Sequence, residues 1–214
     1  NTYLVIAASY MAMLDGIKAA LENGKVSDEL ERSISKEYGQ EDFYLDKDRI
    51  YRSELDVFDE YTEEERDKFF GKAPRTVWEN ISAFDEYPEK LEIFKRDDVM
   101  TELALESYRQ ATLDQWKTEL HNRIVPDVMD VVRHCTKLHD DDDCVDYDRY
   151  YWDKIQGLRN HLGRDLLDVP CLLTRVIRAL DAEDYNTASQ LQMEMQKQVE
   201  ELMRLYIIYR KNLF

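Results

Sequence analysis

The stretch ASQLQMEMQKQVEELMRLYIIY, residues 188–209, decides the fold. Ala188, Leu191, Met195, Val199, Leu202, Tyr206 and Tyr209 recur at steps of three and four, which places them on one stripe of an α-helix, a coiled-coil-like seam. A long helix with one apolar stripe has to bury it against other helices. Working toward the N-terminus, the same period returns: Leu173, Val176, Ile177 and Leu180 form a shorter helix begun by Pro170, and Trp152, Ile155, Leu158 and Leu162 form another before it. Antiparallel packing of these last helices is expected. Strict apolar/polar alternation is nearly absent and no repeat of fixed period occurs. The expected fold is therefore all-α, a multi-helix bundle with a long C-terminal helix and little or no sheet.

Further upstream, Val99, Leu103, Leu113, Trp116, Leu120 and Ile124 predict a long helix from about Asp98 to Ile124. Pro126 is expected to break it, with Val128, Val131, Cys135 and Leu138 on a new helix. Pro88 can open a short helix through Leu91 and Phe94, after one carrying Val77, Trp78, Ile81 and Phe84. Two capping boxes, Thr62 with Glu65 and Thr76 with Glu79, announce helix starts. From Gln40 to Tyr61 the aromatics Phe43, Tyr44, Tyr51, Phe58 and Tyr61 follow no period and read as an irregular insertion or short helical turns. A helix to about Glu22 is apolar on every face from Leu4 to Leu14 and so is expected to be surrounded by protein. Gly24 gives it a left-handed end, and Ser27 or Asp28 caps a short helix closing at Gly39. The sequence opens on Asn1-Thr2 inside a helix, without an initiating Met, as a segment cut from a larger chain would.

The 214 residues suffice for one domain or two small ones, and 43% apolar residues suffice for a packed core. The 46 acidic against 29 basic side chains give a net charge of −17, which repels phosphate backbones and anionic bilayers, so neither nucleic acid nor a membrane surface is an expected partner. The apolar stretch Tyr3 to Leu14 is shorter than the roughly 20 residues that span a bilayer. Cys135, Cys144 and Cys171 are odd in number and form no C-x-x-C, which speaks for a reducing cytoplasm rather than a disulfide framework.

No complete catalytic motif is present. The chain lacks G-x-x-x-x-G-K-[ST], G-x-G-x-x-G and G-x-S-x-G, and six glycines leave little material for a phosphate-cradling loop. The densest set of ligand-type residues is His134, Cys135, His139, Asp140 to Asp143 and Cys144. His134 and His139 are five apart, off one helix face, and the acidic tract lacks the glycine and alternation of a calcium loop, so an exposed acidic loop is the expected role. His121 and His161 fall within helices as surface or packing residues, and Cys171 at a helix start is expected to be a small core residue. The stripe of Met193, Met195, Met203, Tyr206 and Tyr209 is expected to be core, with a partner-helix site as the other use. No catalytic, cofactor-binding or metal residue is assigned to this chain.

The opening Asn1-Thr2-Tyr3-Leu4-Val5-Ile6-Ala7-Ala8, followed by Met13-Leu14-Asp15-Gly16-Ile17, resembles the glutamine synthetase segment that reads N-P-Y-L-x-x-A-A and then G-L-D-G-I. The resemblance extends through Ala83-Phe84-Asp85-Glu86 and Leu91 to Val99, and on to Tyr108 and Trp116. Thr2 and Met13 depart from the family's Pro and Gly, and residues 40–75 look inserted. The resemblance implies that residues 1–125 are the C-terminal part of such a catalytic domain and 126–214 an additional antiparallel helical extension. It also implies a parent glutamate–ammonia ligase that uses ATP and magnesium or manganese, assembled as a cytoplasmic homo-oligomer, whose catalytic residues lie before Asn1. On that reading this chain alone is inactive and serves packing, oligomerisation or regulation, with the upstream catalytic domain as its partner. The other expectation is a stand-alone helical protein–protein interaction module.

Overall fold

The computed structural model describes residues 2–40, 46–140 and 142–211. Among them the regular structure is helical, with no strand. In chain order the helices are α1 (Thr2–Glu22), α2 (Ser27–Ile34), α3 (Glu63–Phe70), α4 (Val77–Glu86), α5 (Pro88–Lys95), α6 (Glu102–Glu119), α7 (Val125–His134), α8 (Asp146–Gly163), α9 (Leu172–Asp181) and α10 (Tyr185–Lys211). The chain packs as two compact units, 1–75 with 83–106 and 76–82 with 107–214. Residues 125 and 126, where the helical extension is expected to begin, lie within a continuous helical run.

That run is the main departure from the sequence expectation around Pro126. Residues 102–134 stay helical throughout, because α6 passes into α7 through one widened turn, Leu120–Ile124, in which the Val125 N–H donates to the Leu120 carbonyl. A proline has no N–H and its ring crowds the carbonyl four residues back. Widening the turn just before it makes room for the ring while Ile124 and Val125 keep helical φ of −63° and −64°.

In the second unit, α10 packs along α8 and α9, and α8 also packs on α7. The pairs Trp152–Tyr209 and His161–Glu194 run in opposite directions along α8 and α10, so these two are antiparallel. Ala188, Leu191, Met195, Leu202 and Tyr209 of the quoted stretch are buried in one core with Leu120, Ile155, Leu162, Leu172 and Val176. The seam is core. Cys171, not Pro170, is the N-cap of α9. Two polar groups inside are paired: Trp116 Nε1 donates to Gln192 Oε1 at 2.9 Å, and the Leu138 N–H donates to the Tyr209 hydroxyl at 3.2 Å.

Thr76 ties the start of α4 into this unit. Its hydroxyl oxygen accepts from the Glu79 N–H at 3.2 Å and lies 2.6 Å from the buried Ser189 hydroxyl on α10. Thr76→Ala is expected to cost about 1–2 kcal/mol through the lost cap and the Ser189 partner. Thr76→Ser, which keeps the hydroxyl, should recover most of that loss in urea denaturation.

In the first unit α1 packs on α5, which Pro88 opens at its first position. Gly24 ends α1 with φ +63°, and the Lys25 N–H returns to the Ala20 carbonyl at 3.0 Å. Helix α2 closes at Ile34 rather than at Gly39, and Val26 rather than Ser27 or Asp28 stands at its start, where its N–H donates to the Glu29 carboxylate at 3.2 Å. The Thr62–Glu65 box closes reciprocally, with distances of 2.9 and 3.2 Å. At the other end of α3 the Arg49 guanidinium donates to the Asp67 and Lys68 carbonyls, so a cation satisfies the helix's last acceptors. Tyr38 and Tyr61 pack edge-on against Phe69, at 4.9 and 6.2 Å, and so organise the irregular stretch, of which Phe43 and Tyr44 lie outside the described residues.

Candidate functional site

A helix as apolar as α1 is expected to be enclosed, yet within its own unit only Met11, Asp15 and Ala20 are buried. Tyr3 is 84%, Tyr10 67% and Leu21 75% exposed, with Val5, Met13 and Ile17 also open. The physical reason is length. Helix α1 extends ~32 Å and its neighbour α5 ~12 Å at about 1.5 Å per residue, so α5 covers one side of part of it. Apolar patches this continuous mark interaction surfaces.

The covered stripe holds a charge. Asp15 is 7% exposed, and Arg96 Nη1 donates to its carboxylate at 2.5 Å. Arg96 reaches it from the turn after α5, where Asp97 and Asp98 both adopt φ +55°, a left-handed backbone that asparate tolerates better than most residues. This ion pair joins residues 81 apart in sequence. Neither the pair nor its strained turn was legible from periodicity. By length and composition α1 also suffices to cross a membrane, with a mean hydropathy of 1.5, because the helix continues past Leu14 to Glu22. The length argument drawn from Tyr3 to Leu14 does not hold for the helix.

The ligand-type residues singled out from the sequence are dispersed. His134 Nδ1 lies 2.6 Å from the Asp130 carbonyl, and Cys144 Sγ lies 3.7 Å from the His139 carbonyl. Cys135 is buried, which pushes its thiol up from the ordinary value. Among the described residues no group of three or more His, Cys, Asp or Glu is placed to hold a metal, and Asp141 lies outside them. His161 Nε2 is 3.2 Å from the Glu194 carboxylate. His121 Nδ1 is 3.0 Å from Asn122 Oδ1, beside a shallow cleft of about 270 Å³ that Lys117 and Asp181 also line.

The second unit has two surface features, the first of which takes in Met203 and Tyr206 of the stripe expected to be core, with Met203 exposed. One is a groove of about 470 Å³ between α7 and α10, with Val131, Met203 and Ile207 on its walls and Asp127, Asp130 and Arg210 among its charged lining. The other is the loop 164–170, where Leu166, Leu167 and Val169 all stand exposed. The sequence signal for the loop was three apolar residues in a helix–helix connection that the helical period does not absorb.

That loop is held from its base. The Asp165 carboxylate accepts from the Cys171 N–H at 2.7 Å and from the Thr174 hydroxyl at 3.1 Å, at the start of α9. The Cys171 N–H, with Thr174 after it, holds the Asp165 carboxyl below its ordinary value. A group whose folded value is depressed contributes stability above its unfolded value, near 3.9, and loses it as pH falls through the folded value. Acid titration followed by NMR should therefore show the start of α9 loosening below pH ~4. Asp165→Asn should weaken α9 at neutral pH and remove that step.

No family model matches the chain, and no curated protein and no solved structure matches it significantly.

Proposed function

We propose that this chain is the C-terminal helical region of a glutamine synthetase-like, ATP-dependent glutamate–ammonia ligase, with the open face of α1 packed against the upstream catalytic part. The observation that carries this reading is the pairing of Asp15 with Arg96. Asp15 belongs to the stretch 13–17 and Arg96 to the stretch 91–99, the separate segments on which the resemblance rests. The structure brings them together as α1 on α5. Of the first segment, Tyr3, Val5, Ile6, Met13 and Ile17 are left uncovered. ATP and magnesium or manganese would be held by residues preceding Asn1, and no residue of this chain is assigned to them. The reading carries with it a cytoplasmic homo-oligomer.

The alternative, a stand-alone interaction module using the 188–209 seam, is left with Tyr206 and the neighbouring Met203 at the groove, since Ala188, Leu191, Met195, Leu202 and Tyr209 are taken up by the core. A membrane-spanning α1 has less support, since the charged helix α5 packs on it and the Arg96 guanidinium pairs with Asp15 within its length.

The test is to express the chain together with the reading frame that precedes it and to footprint both forms with hydroxyl radicals. Tyr3, Tyr10 and Met13 should be modified in residues 1–214 alone and protected in the longer product, which should release ADP only with glutamate and ammonium together. Equal modification in both forms, with no such turnover, overturns the proposal.

A further inference from the structure

We propose that the loop 164–170 of one copy of this chain seats in the α7–α10 groove of a second copy. Leu167 is fully exposed, with Leu166 and Val169 beside it. An apolar knob in this state ordinarily enters a pocket. The knob is also preformed. The Leu166 N–H donates to the Val169 carbonyl at 3.0 Å, and Asp165 fixes the loop to the start of α9 through Cys171 and Thr174. Little ordering remains to be lost on docking.

The groove offers what the knob lacks. Val131, Met203 and Ile207 give it apolar walls, and its volume of about 470 Å³ admits several aliphatic side chains. The charges are opposite in sign. The loop carries Arg164 before its apolar residues and Asp168 among them, while the groove has Asp127 and Asp130 on the α7 wall and Arg210 on the α10 wall. Seated in the groove, Arg164 would have Asp127 or Asp130 as a partner and Asp168 would have Arg210. Asp127 and Asp130 already lie 3.9 and 3.3 Å from Arg123 and Arg133, exposed pairs that cost little to exchange. Because loop and groove are different surfaces of one unit, two copies either exchange both contacts about a two-fold axis or join by one contact head-to-tail.

The inference uses residues 107–214 alone and does not depend on the ligase reading. Sedimentation velocity over a concentration series tests it on the full chain. Leu167→Asp and Ile207→Asp, both at exposed positions, should each leave helix content unchanged and weaken self-association about ten-fold or more. A mixture of the two variants should regain a 1:1 complex, since one intact knob and one intact groove remain. The charge pair gives a second route: Asp168→Arg and Arg210→Glu should each weaken association, and together in one chain restore it. Association at parental strength in either aspartate variant, a mixture that behaves as its separate components, or a parent chain that stays monomeric overturns the proposal.

Discussion

Tyr209→Ala is expected to lower the stability of the second unit by about 3–5 kcal/mol, the range for removing a large buried aromatic. Tyr209 is fully buried near the end of α10, with its ring 5.7 Å from Trp152 and 6.3 Å from Tyr206. Aromatic pairs of this geometry add about 0.5–1.5 kcal/mol beyond burial. Its hydroxyl also accepts from the Leu138 N–H, which ties the segment after α7 to α10. Tyr209→Phe separates the two contributions, since it keeps the ring and removes the acceptor, and it should cost about 1–2 kcal/mol. The check is urea denaturation followed by Trp fluorescence. The transition that shifts should belong to residues 76–82 and 107–214, because two units need not unfold as one. A loss under about 1 kcal/mol for the alanine variant would mean that the seam is not packed as described.

The second large effect concerns α1. Val5→Glu combined with Ile17→Glu is expected to change the stability of residues 1–214 by no more than about 0.5 kcal/mol per site, because both side chains already face solvent and glutamate suits a helix. In the longer protein the same pair should prevent the upstream part from covering α1, since an unpaired carboxylate in an apolar contact costs several kcal/mol. The readouts are chemical denaturation of the short form, and ligase turnover and assembly of the long one. Equal behaviour of the variant and parent in the long form would remove the assigned role of α1.

The long C-terminal helix, its antiparallel neighbours and the burial of its seam were legible because a sustained three-four step leaves little freedom in which face turns inward. The same period hid the widened turn at Leu120–Ile124. Backbone hydrogen bonding, not side-chain pattern, decides whether Pro126 ends a helix or is absorbed by one. Apolarity on every face of α1 predicts enclosure, whereas within these residues α5 reaches only one side of it and the rest stands exposed. Asp15 and Arg96 were visible only as residues of two separate segments. Their pairing needs a left-handed turn at Asp97 and Asp98, which two aspartates in succession do not announce. The groove and the Leu167 loop were illegible for a related reason: exposure is set by what fails to pack, and a list of apolar residues does not carry that.

The most direct measurement is the sequence of the gene immediately upstream of the Asn1 codon. The account predicts a continuous reading frame whose last strand before Asn1 carries an R-x-E-x-R-like pattern. A start codon, or a frame with no ligase-like segment, would contradict it.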